Sequence, residues 1–263
     1  MQAFDYRRPG TVNEADLALK AAPGAKLLAG GQTLLPTMRL RLATPDTVID
    51  LSGVASLKGI ARKDGGLAIG AMTTHAAVAE SGEAKGAIPG LAKLAGDIGD
   101  PQVRHRGTIG GSIANNDPAA DYPAAVLALG ATLNTSKRSI AADDFFQGLF
   151  ATALEENEIL TEITFPVPQS FAYAKFDQPA SRFALVGVAV AKTSGGVRVA
   201  VTGVGQNGVF RWTDAEKALS ANFSASALDG IKLDPSNVLS DVHGSADYRA
   251  HLVGVMAKRA VAG

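Results

Sequence analysis

Short apolar runs bounded by turn residues recur along the chain and predict β-strands. In the first two thirds of the chain these runs occupy residues 26–29, 47–51, 67–70 and 159–167. The last run ends between Pro166 and Pro168, which predicts a boundary there, because proline cannot donate a hydrogen bond to a neighbouring strand. Beyond it, strand-like runs occupy residues 171–176, 183–192 and 197–204.

Helical spacing of apolar residues predicts helices between and after these strands. They are expected at residues 74–79, 91–98, 118–129, 213–219, 224–231 and 245–260. The hydroxyl of Thr73 or Thr74 is suited to cap the first helix, Asp117 before Pro118 to open the third, and Ser245 to cap the last. One face of the last helix is expected to carry Tyr248, Leu252, Val255, Met256 and Arg259. The pattern predicts an α+β protein whose C-terminal third is a three-stranded antiparallel sheet covered by helices.

The charge balance gives no reason to expect nucleic acid or an acidic membrane as a partner. Lys plus Arg and Asp plus Glu both total 25, so the formal net charge is zero. The longest strongly apolar run, residues 183–191, is too short to span a bilayer, so no membrane span is expected. The first nine residues contain no apolar signal segment, and a cytoplasmic protein is therefore expected.

Cysteine is missing from all 263 residues. Disulfides, thiol catalysis and cysteine-ligated iron–sulfur or zinc sites are therefore excluded for this chain. The four histidines are scattered without ligand spacing, and structural or surface roles are expected for them. No catalytic triad, metal site or nucleophile is evident, so redox chemistry here would need an organic cofactor.

Two glycine-glycine turns, at residues 29–33 and 108–112, carry the candidate binding chemistry. Glycine admits positive φ and leaves no side chain between backbone amides and a ligand. Successive exposed amides form a concave site for phosphate, and two facing turns would suit a pyrophosphate. Neither turn has Rossmann or P-loop spacing, so a nicotinamide or nucleoside-triphosphate site has no motif support.

Other conspicuous polar and aromatic residues have structural interpretations. The basic cluster at residues 104–106 could assist a pyrophosphate, although a solvated loop is the favoured interpretation. Trp212 is expected to anchor a core or an interface. The pair Asp143 and Asp144 is interpreted as a capped helix start and not as a carboxylate pair for acid–base catalysis.

Four segments resemble one protein family, in the same order and with fitting spacing. Residues 27–40 (LLAGGQTLLPTMRL) resemble its first flavin loop, and residues 106–121 (RGTIGGSIANNDPAAD) resemble its second. Residues 241–260 resemble its closing helix and residues 4–9 its opening. The family comprises the FAD-binding medium subunits of molybdenum hydroxylases, such as aerobic carbon monoxide dehydrogenase and xanthine dehydrogenase.

The resemblance implies a fold and a division into domains. It implies a two-lobed FAD-binding domain of the PCMH/vanillyl-alcohol-oxidase type at residues 1–168, with a small lobe at about 1–56 and a larger lobe at about 57–168. A C-terminal domain of antiparallel sheet and helices would follow at residues 169–263.

The resemblance also implies which positions contact FAD. In the two loops these are Leu27, Leu28, Ala29, Gly30, Gly31, Gln32, Thr33, Leu34, Thr108, Ile109, Gly110, Gly111 and Ser112. Outside them, Ile98, Asp121, Leu160 and Lys175 match further family positions. A sugar hydroxyl is the more physical partner for Asp121, since a carboxylate repels phosphate. Lys175 would place a cation near the flavin, favouring its anionic reduced form; the alternative is a solvated lysine on a strand.

The implied function is electron relay within a larger enzyme. FAD would be bound by this chain, and a large molybdopterin subunit and a small subunit with two [2Fe–2S] clusters would be its partners, in a dimer of heterotrimers. FAD would pass electrons from the clusters to a quinone, dioxygen, NAD or another acceptor. Two alternatives stay open: a stand-alone FAD-dependent oxidoreductase, and a scaffold subunit without flavin. The substrate of the complete enzyme is not encoded in this chain.

Overall fold

The N-terminal part of the protein is a small parallel sheet with short helices. A computed structural model describes all residues 1–263. The elements of this part are β1 (Asp5–Arg7), α1 (Val12–Ala21), β2 (Lys26–Leu28), α2 (Leu34–Arg39) and β3 (Thr47–Asp50). The three strands pair in parallel in the order β1-β3-β2. The predicted strand at residues 26–29 is therefore present but short, and it is not fully buried, because β2 lies at a sheet edge.

A five-stranded antiparallel sheet and a run of helices form the middle of the molecule. Its strands are β4 (Ile60–Lys63), β5 (Gly66–Gly70), β6 (Thr132–Thr135), β7 (Ser139–Ala141) and, after the small hairpin of β8 (Phe146–Gly148) and β9 (Ala151–Thr152), β10 (Leu160–Pro166). Its helices are α3 (His75–Glu80), α4 (Gly82–Ala87), α5 (Pro89–Gly96), α6 (Pro101–Arg106), α7 (Ile109–Asn115), α8 (Tyr122–Leu129) and α9 (Ala142–Phe145). In the sheet order β4-β5-β10-β6-β7, β10 lies between two strands that come earlier in the sequence. The sheet is therefore complete only once β10 is in place.

The C-terminal part is a four-stranded antiparallel sheet with helices on one face. Its elements are β11 (Ser170–Asp177), β12 (Ala184–Thr193), β13 (Gly196–Thr202), β14 (Phe210–Arg211), α10 (Thr213–Ala221) and α11 (Ala246–Ala262). The predicted three strands are confirmed, and the two-residue β14 adds a fourth. None of the helices has the length and apolar character needed to cross a bilayer.

Helix α8 joins the two larger parts because it is buried on every side. All eight of its residues are buried, and its core also contains Ala189, Ala191 and Ala200 from the C-terminal sheet. On the opposite face of β12, Val186, Val188 and Val190 pack in a second core with α10 and α11. Since successive strand residues face opposite sides, the alternation of alanine and valine gives β12 one face suited to close approach and one bulky face.

Several local predictions are corrected by the structure. The helix expected from Pro118 begins at Tyr122, because the carboxylate of Asp117 accepts the Ala119 amide in a turn instead of capping a helix. Residues 224–231 form only a short 3₁₀ segment, Ala225–Leu228. Asp143 and Asp144 lie in the first turn of α9 without capping it.

The face predicted for the last helix is confirmed only in part, since Leu252 and Met256 are buried. Tyr248 and Arg259 are exposed, and the buried face of α11 contains Arg249 instead. The Arg249 guanidinium donates to both carboxylate oxygens of Asp241 at 2.7 Å and to the carbonyls of Leu185 and Gly203. A buried cation with this many acceptors fixes the helix on the sheet. The caps Thr74 and Ser245 and the core position of Trp212 are confirmed.

Candidate functional site

A deep cleft lies where the N-terminal sheet, the middle helices and the start of β12 meet. Its volume is about 640 Å³, within the range of small-molecule and cofactor sites. Both glycine segments line it, at residues 29–34 and at residues 107, 108 and 110–112, and the segment before β12 lines it at residues 181–183. The fold thus brings together three segments that are far apart in the sequence.

The first glycine segment presents consecutive backbone amides without partners. Between the end of β2 and the first turn of α2, the amides of residues 30–34 donate to no acceptor within the protein. Gly31 has φ of +75°, a conformation that favours glycine. The hydroxyl of Thr33 makes no hydrogen bond within the protein either. Unpaired amides grouped at a helix start form a binding site for an anionic group such as phosphate.

The second glycine segment is the start of a helix and not a turn. Thr108 caps α7, its hydroxyl accepting the amide of Gly111 at 3.2 Å. The amides of Ile109 and Gly110 donate to the carbonyls of Thr73 and Ala71, and that of Ser112 donates to Thr108. The expectation of a second set of free amides is therefore wrong for residues 109–112. The amide of Thr108 and the hydroxyl hydrogens of Thr108 and Ser112 are the donors that this segment leaves unpaired.

The glycines of both segments are required for contact between backbones. A Cβ on Gly30 would lie 2.2 Å from the carbonyl oxygen of Arg106, so the first segment lies directly against the second. A Cβ on Gly110 would lie 2.6 Å from the carbonyl oxygen of Ala71. At Gly111 the nearest neighbours would be Thr108 Oγ1 at 2.9 Å and Ala29 Cβ at 3.2 Å. The two segments therefore form one wall, with Gly111 between them.

Asp121 lies in the cleft wall and is held from behind by two residues of β11. Tyr173 donates its hydroxyl hydrogen to Asp121 Oδ1 at 2.7 Å, and Lys175 Nζ lies 3.2 Å from the same oxygen. Tyr173 and Lys175 share a strand face because they are two residues apart. Burial raises the pKa of Asp121, and the nearby ammonium and hydroxyl oppose that rise.

Lys175 does not line this cleft, and it is not a solvated lysine. Its side chain is 5% exposed. Its ammonium donates to the carbonyls of Asp97 and Arg182, at 2.8 and 3.1 Å, in addition to its contact with Asp121. The ammonium is thus held within the protein by two hydrogen bonds to carbonyls and by ion pairs with Asp121 and, at 3.7 Å, with Asp177. The alternative of a solvated strand lysine is therefore wrong.

Apolar side chains complete the cleft. Ile98 and Leu160 lie in its wall, as the resemblance implies. Phe150, Leu154 and Phe183 also line it, and the sequence does not predict them. Phe150 and Phe183 are exposed large aromatics, and no local sequence signal distinguishes them from surface residues. All the predicted site residues line the cleft except Leu28, Ile109 and Lys175. Ile109 instead points into the core.

His75 lies beneath the second glycine segment, at the start of α3. Its ring is 5.4 Å from that of Tyr122, and His75 Nδ1 and the Tyr122 hydroxyl are both buried without hydrogen-bond partners. A Cβ on Gly107 would lie 2.6 Å from His75 Nε2, so this imidazole determines how closely residue 107 can approach. Burial, with a smaller contribution from Arg104, lowers the pKa of His75 to about 4 and keeps it neutral. The structural role expected for this histidine thus includes support of the cleft wall.

The acidic groups of the cleft have structural partners. The carboxylate of Glu158 accepts hydrogen bonds from Arg138 and from the amide of Glu155, and these lower its pKa to about 2. Asp121 is bound by Tyr173 and Lys175. No group of three or more His, Asp or Glu side chains is placed to hold a metal ion. The arrangement supports binding of an elongated ligand with an anionic part and an apolar part.

Comparison with known proteins gives a single family for this cleft. Residues 2–168 match the family model described as the FAD binding domain in molybdopterin dehydrogenase. The carbon monoxide dehydrogenase medium chain of Afipia carboxidovorans is 36% identical, covering 98% of this chain and 96% of the relative. The nicotine 6-hydroxylase medium subunit of Paenarthrobacter nicotinovorans is 34% identical, covering 99% and 97%.

The fold is shared with a solved structure of a related enzyme. That structure is carbon monoxide dehydrogenase from Hydrogenophaga pseudoflava, in a form that lacks the Mo-pyranopterin moiety of the molybdenum cofactor. The similarity has a TM-score of 0.90 at 37% identity and covers 99% of this chain and 96% of the other. Sequence and fold therefore agree over nearly the whole length.

Proposed function

Because the chain belongs to the family of FAD-binding domains of molybdopterin dehydrogenases, we propose that it relays electrons through FAD from iron–sulfur clusters of a partner subunit to an external acceptor. It is an oxidoreductase subunit, and its relatives are named as medium chains of multi-subunit dehydrogenases. The oxidation of the substrate then takes place on a different chain. The α+β fold and the identification of the family from four sequence segments are confirmed.

The observation that supports FAD binding best is the run of unpaired amides at residues 30–34 in the cleft wall. In this proposal they bind the pyrophosphate, with the Thr108 amide and the Ser112 hydroxyl as further donors. Asp121 accepts a hydrogen bond from a sugar hydroxyl, because its carboxylate would repel phosphate. Ile98 and Leu160 contact the apolar ring system and exclude water.

The residues of this chain indicate which roles belong to the cofactor and which to the protein. Bound FAD supplies the redox chemistry, accepting and releasing electrons. The protein binds and orients it through backbone amides and apolar walls. No residue cluster in the cleft is arranged as an acid–base pair, since Glu158 and Asp121 are both held by structural partners. This supports a relay and not a stand-alone oxidase with its own substrate chemistry.

The proposal extends to assembly and domain division. We place the division near residue 168, with lobes at about 1–56 and 57–168, and this is supported by the end of the family match. A large molybdopterin subunit and a small subunit with two [2Fe–2S] clusters would complete a dimer of heterotrimers in the cytoplasm. The absence of cysteine supports this, because such clusters need thiolate ligands from another chain.

Absorption spectroscopy of the purified chain tests cofactor binding. We expect flavin bands and, after denaturation, release of one FAD per chain, identified by chromatography. A colourless protein that does not bind added FAD would favour the scaffold alternative. Native mass spectrometry of the complex then tests the relay, since a complex without a large subunit would contradict it.

The variant Gly111→Val tests the position of the pyrophosphate. Its side chain would lie between the two glycine segments, close to Thr108 Oγ1 and Ala29. We expect loss of FAD from the purified variant with retention of the folded circular dichroism spectrum. Unchanged flavin content would refute the placement of the phosphates at this wall.

A further inference from the structure

The segment at residues 178–183, between β11 and β12, is a strained part of the cleft wall. Ser181, Arg182 and Phe183 line the cleft from this segment. Arg182 has φ of +60°, a left-handed conformation that is unfavourable for a residue with a side chain. Two backbone hydrogen bonds close the segment, from Gln178 to Phe183 and from Arg182 to Gln178. The side-chain oxygen of Gln178 also accepts the amides of Ala180 and Ser181, and all of these bonds lie within the segment. A contact from outside the segment is needed to hold it against the rest of the cleft wall.

That contact comes from Lys175. The carbonyl of the strained residue, Arg182, accepts a hydrogen bond from Lys175 Nζ at 3.1 Å. The same ammonium binds the carbonyl of Asp97, directly before the cleft residue Ile98, and the carboxylate of Asp121. One buried cation thus joins three separate segments of the cleft wall. Each contact is charge-assisted, which makes it stronger than a bond between neutral groups.

We propose that Lys175 is a positioning residue that holds segment 178–183 against residues 97–99 and thereby limits access of solvent to the bound cofactor. The effect on solvent access rests on the proposed FAD function, whereas the positioning of segment 178–183 does not. Lys175 does not line the cleft, so it acts through the segment and not by direct contact with the ligand. Phe183, 48% exposed at the cleft mouth, is the side chain whose position would change most when the segment is released.

Hydrogen exchange of the full-length protein tests the structural part without any cofactor. In Lys175→Met we expect the amides of Gln178 and Arg182 to exchange about tenfold faster or more, because the segment opens locally. The control is Lys192→Met, which removes an exposed lysine on the neighbouring strand that contacts only the ring of Phe223. Equal exchange in Lys175→Met, Lys192→Met and the unmodified protein would overturn the proposal.

A double variant separates positioning from the cost of an unpaired buried carboxylate. Lys175→Met alone leaves Asp121 buried without its cation, and this lowers stability. Adding Asp121→Asn removes that charge, so we expect the urea midpoint to recover in part while exchange at residues 178–183 stays fast. Recovery of slow exchange together with stability would show that the carboxylate, and not the contact to Arg182, causes the effect.

Iodide quenching of flavin fluorescence tests the consequence for the cofactor. With FAD bound, we expect the quenching constant to increase about twofold or more in Lys175→Met and to stay unchanged in Lys192→Met. An unchanged constant in Lys175→Met would overturn the role in access, even where exchange increases. If the unmodified protein binds no FAD, the proposed function fails, and hydrogen exchange still decides the structural role.

Discussion

At the scale of single residues, other atoms of the protein occupy the space that a side chain would need at several glycines. Gly30 lies against the backbone of Arg106, and Gly107 lies against the ring of His75. These contacts join the two binding segments into one wall. A larger residue at either glycine would increase the distance between the two segments, and its effect on ligand binding follows from that increase.

The variant Gly30→Ala is expected to weaken FAD binding about tenfold or more, because its Cβ cannot lie 2.2 Å from the Arg106 carbonyl oxygen. The two segments would have to separate, and the unpaired amides would move with them. Fluorescence titration of the apoprotein with FAD measures the change. Gly86→Ala on α4 is the matched control, since its Cβ meets no atom within 4 Å. Equal affinities for the two variants would contradict the contact.

His75 gives stability a dependence on pH. Its folded pKa of about 4 lies below the ordinary histidine value of about 6.5. Between these values the unfolded chain takes up a proton that the folded protein does not, so stability falls as pH drops from about 6.5 towards 4. We expect His75→Gln to reduce this slope by up to about 1.4 kcal/mol per pH unit in urea unfolding. The exposed His251→Gln is the control, and identical slopes in both variants would refute the assignment.

At the scale of elements, the sequence pattern predicts the strands correctly, but it predicts the structure of the glycine-rich segments less well. Strands β11, β12 and β13 and the caps Thr74 and Ser245 follow from alternation and hydroxyl position. For the second glycine segment the sequence favours a turn, because two adjacent glycines disfavour a helix. Packing outweighs that preference, since Gly110 lies directly on the backbone of Ala71.

The cleft was predictable only in part, for physical reasons. The resemblance gave the two glycine segments, Ile98, Asp121 and Leu160, and the structure places these together. Phe183 and His75 could not be predicted, because their positions depend on contacts between distant segments. The role of Lys175 depends on carbonyls at Asp97 and Arg182, which carry no signal in the side-chain sequence.

The pairing of β11 with β12 gives a prediction at this scale. Lys175 pairs with Gly187, and a Cβ on Gly187 would lie 2.2 Å from the Tyr173 hydroxyl. We expect Gly187→Ala to displace Tyr173 from Asp121 and to lower stability by about 1–3 kcal/mol in urea unfolding. Gly195→Ala, in the turn before β13, serves for comparison because its nearest contact would be an ordinary 3.8 Å. A difference below about 0.5 kcal/mol between the variants would argue against the displacement.

At the scale of the whole molecule, the family match and the hydrophobic core end at different residues. The match ends at residue 168, yet Ala189, Ala191 and Ala200 belong to the same core as α8. We therefore expect a fragment of residues 1–168 to lack a cooperative thermal transition and to bind a dye for exposed apolar surface. Circular dichroism melting and dye fluorescence measure this, with the full-length protein as reference. A sharp transition in the fragment would show that the core around α8 is stable without the C-terminal sheet.

The same buried helix has a consequence for the protein during its synthesis. Helix α8 ends at Leu129, and the first β12 residue that covers its second side, Ala189, is made about 60 residues later. At roughly 5–20 residues per second, the ribosome leaves this largely apolar helix uncovered for about 3–12 seconds. A nascent chain of this length offers a chaperone a binding segment that disappears once translation reaches the C-terminal sheet.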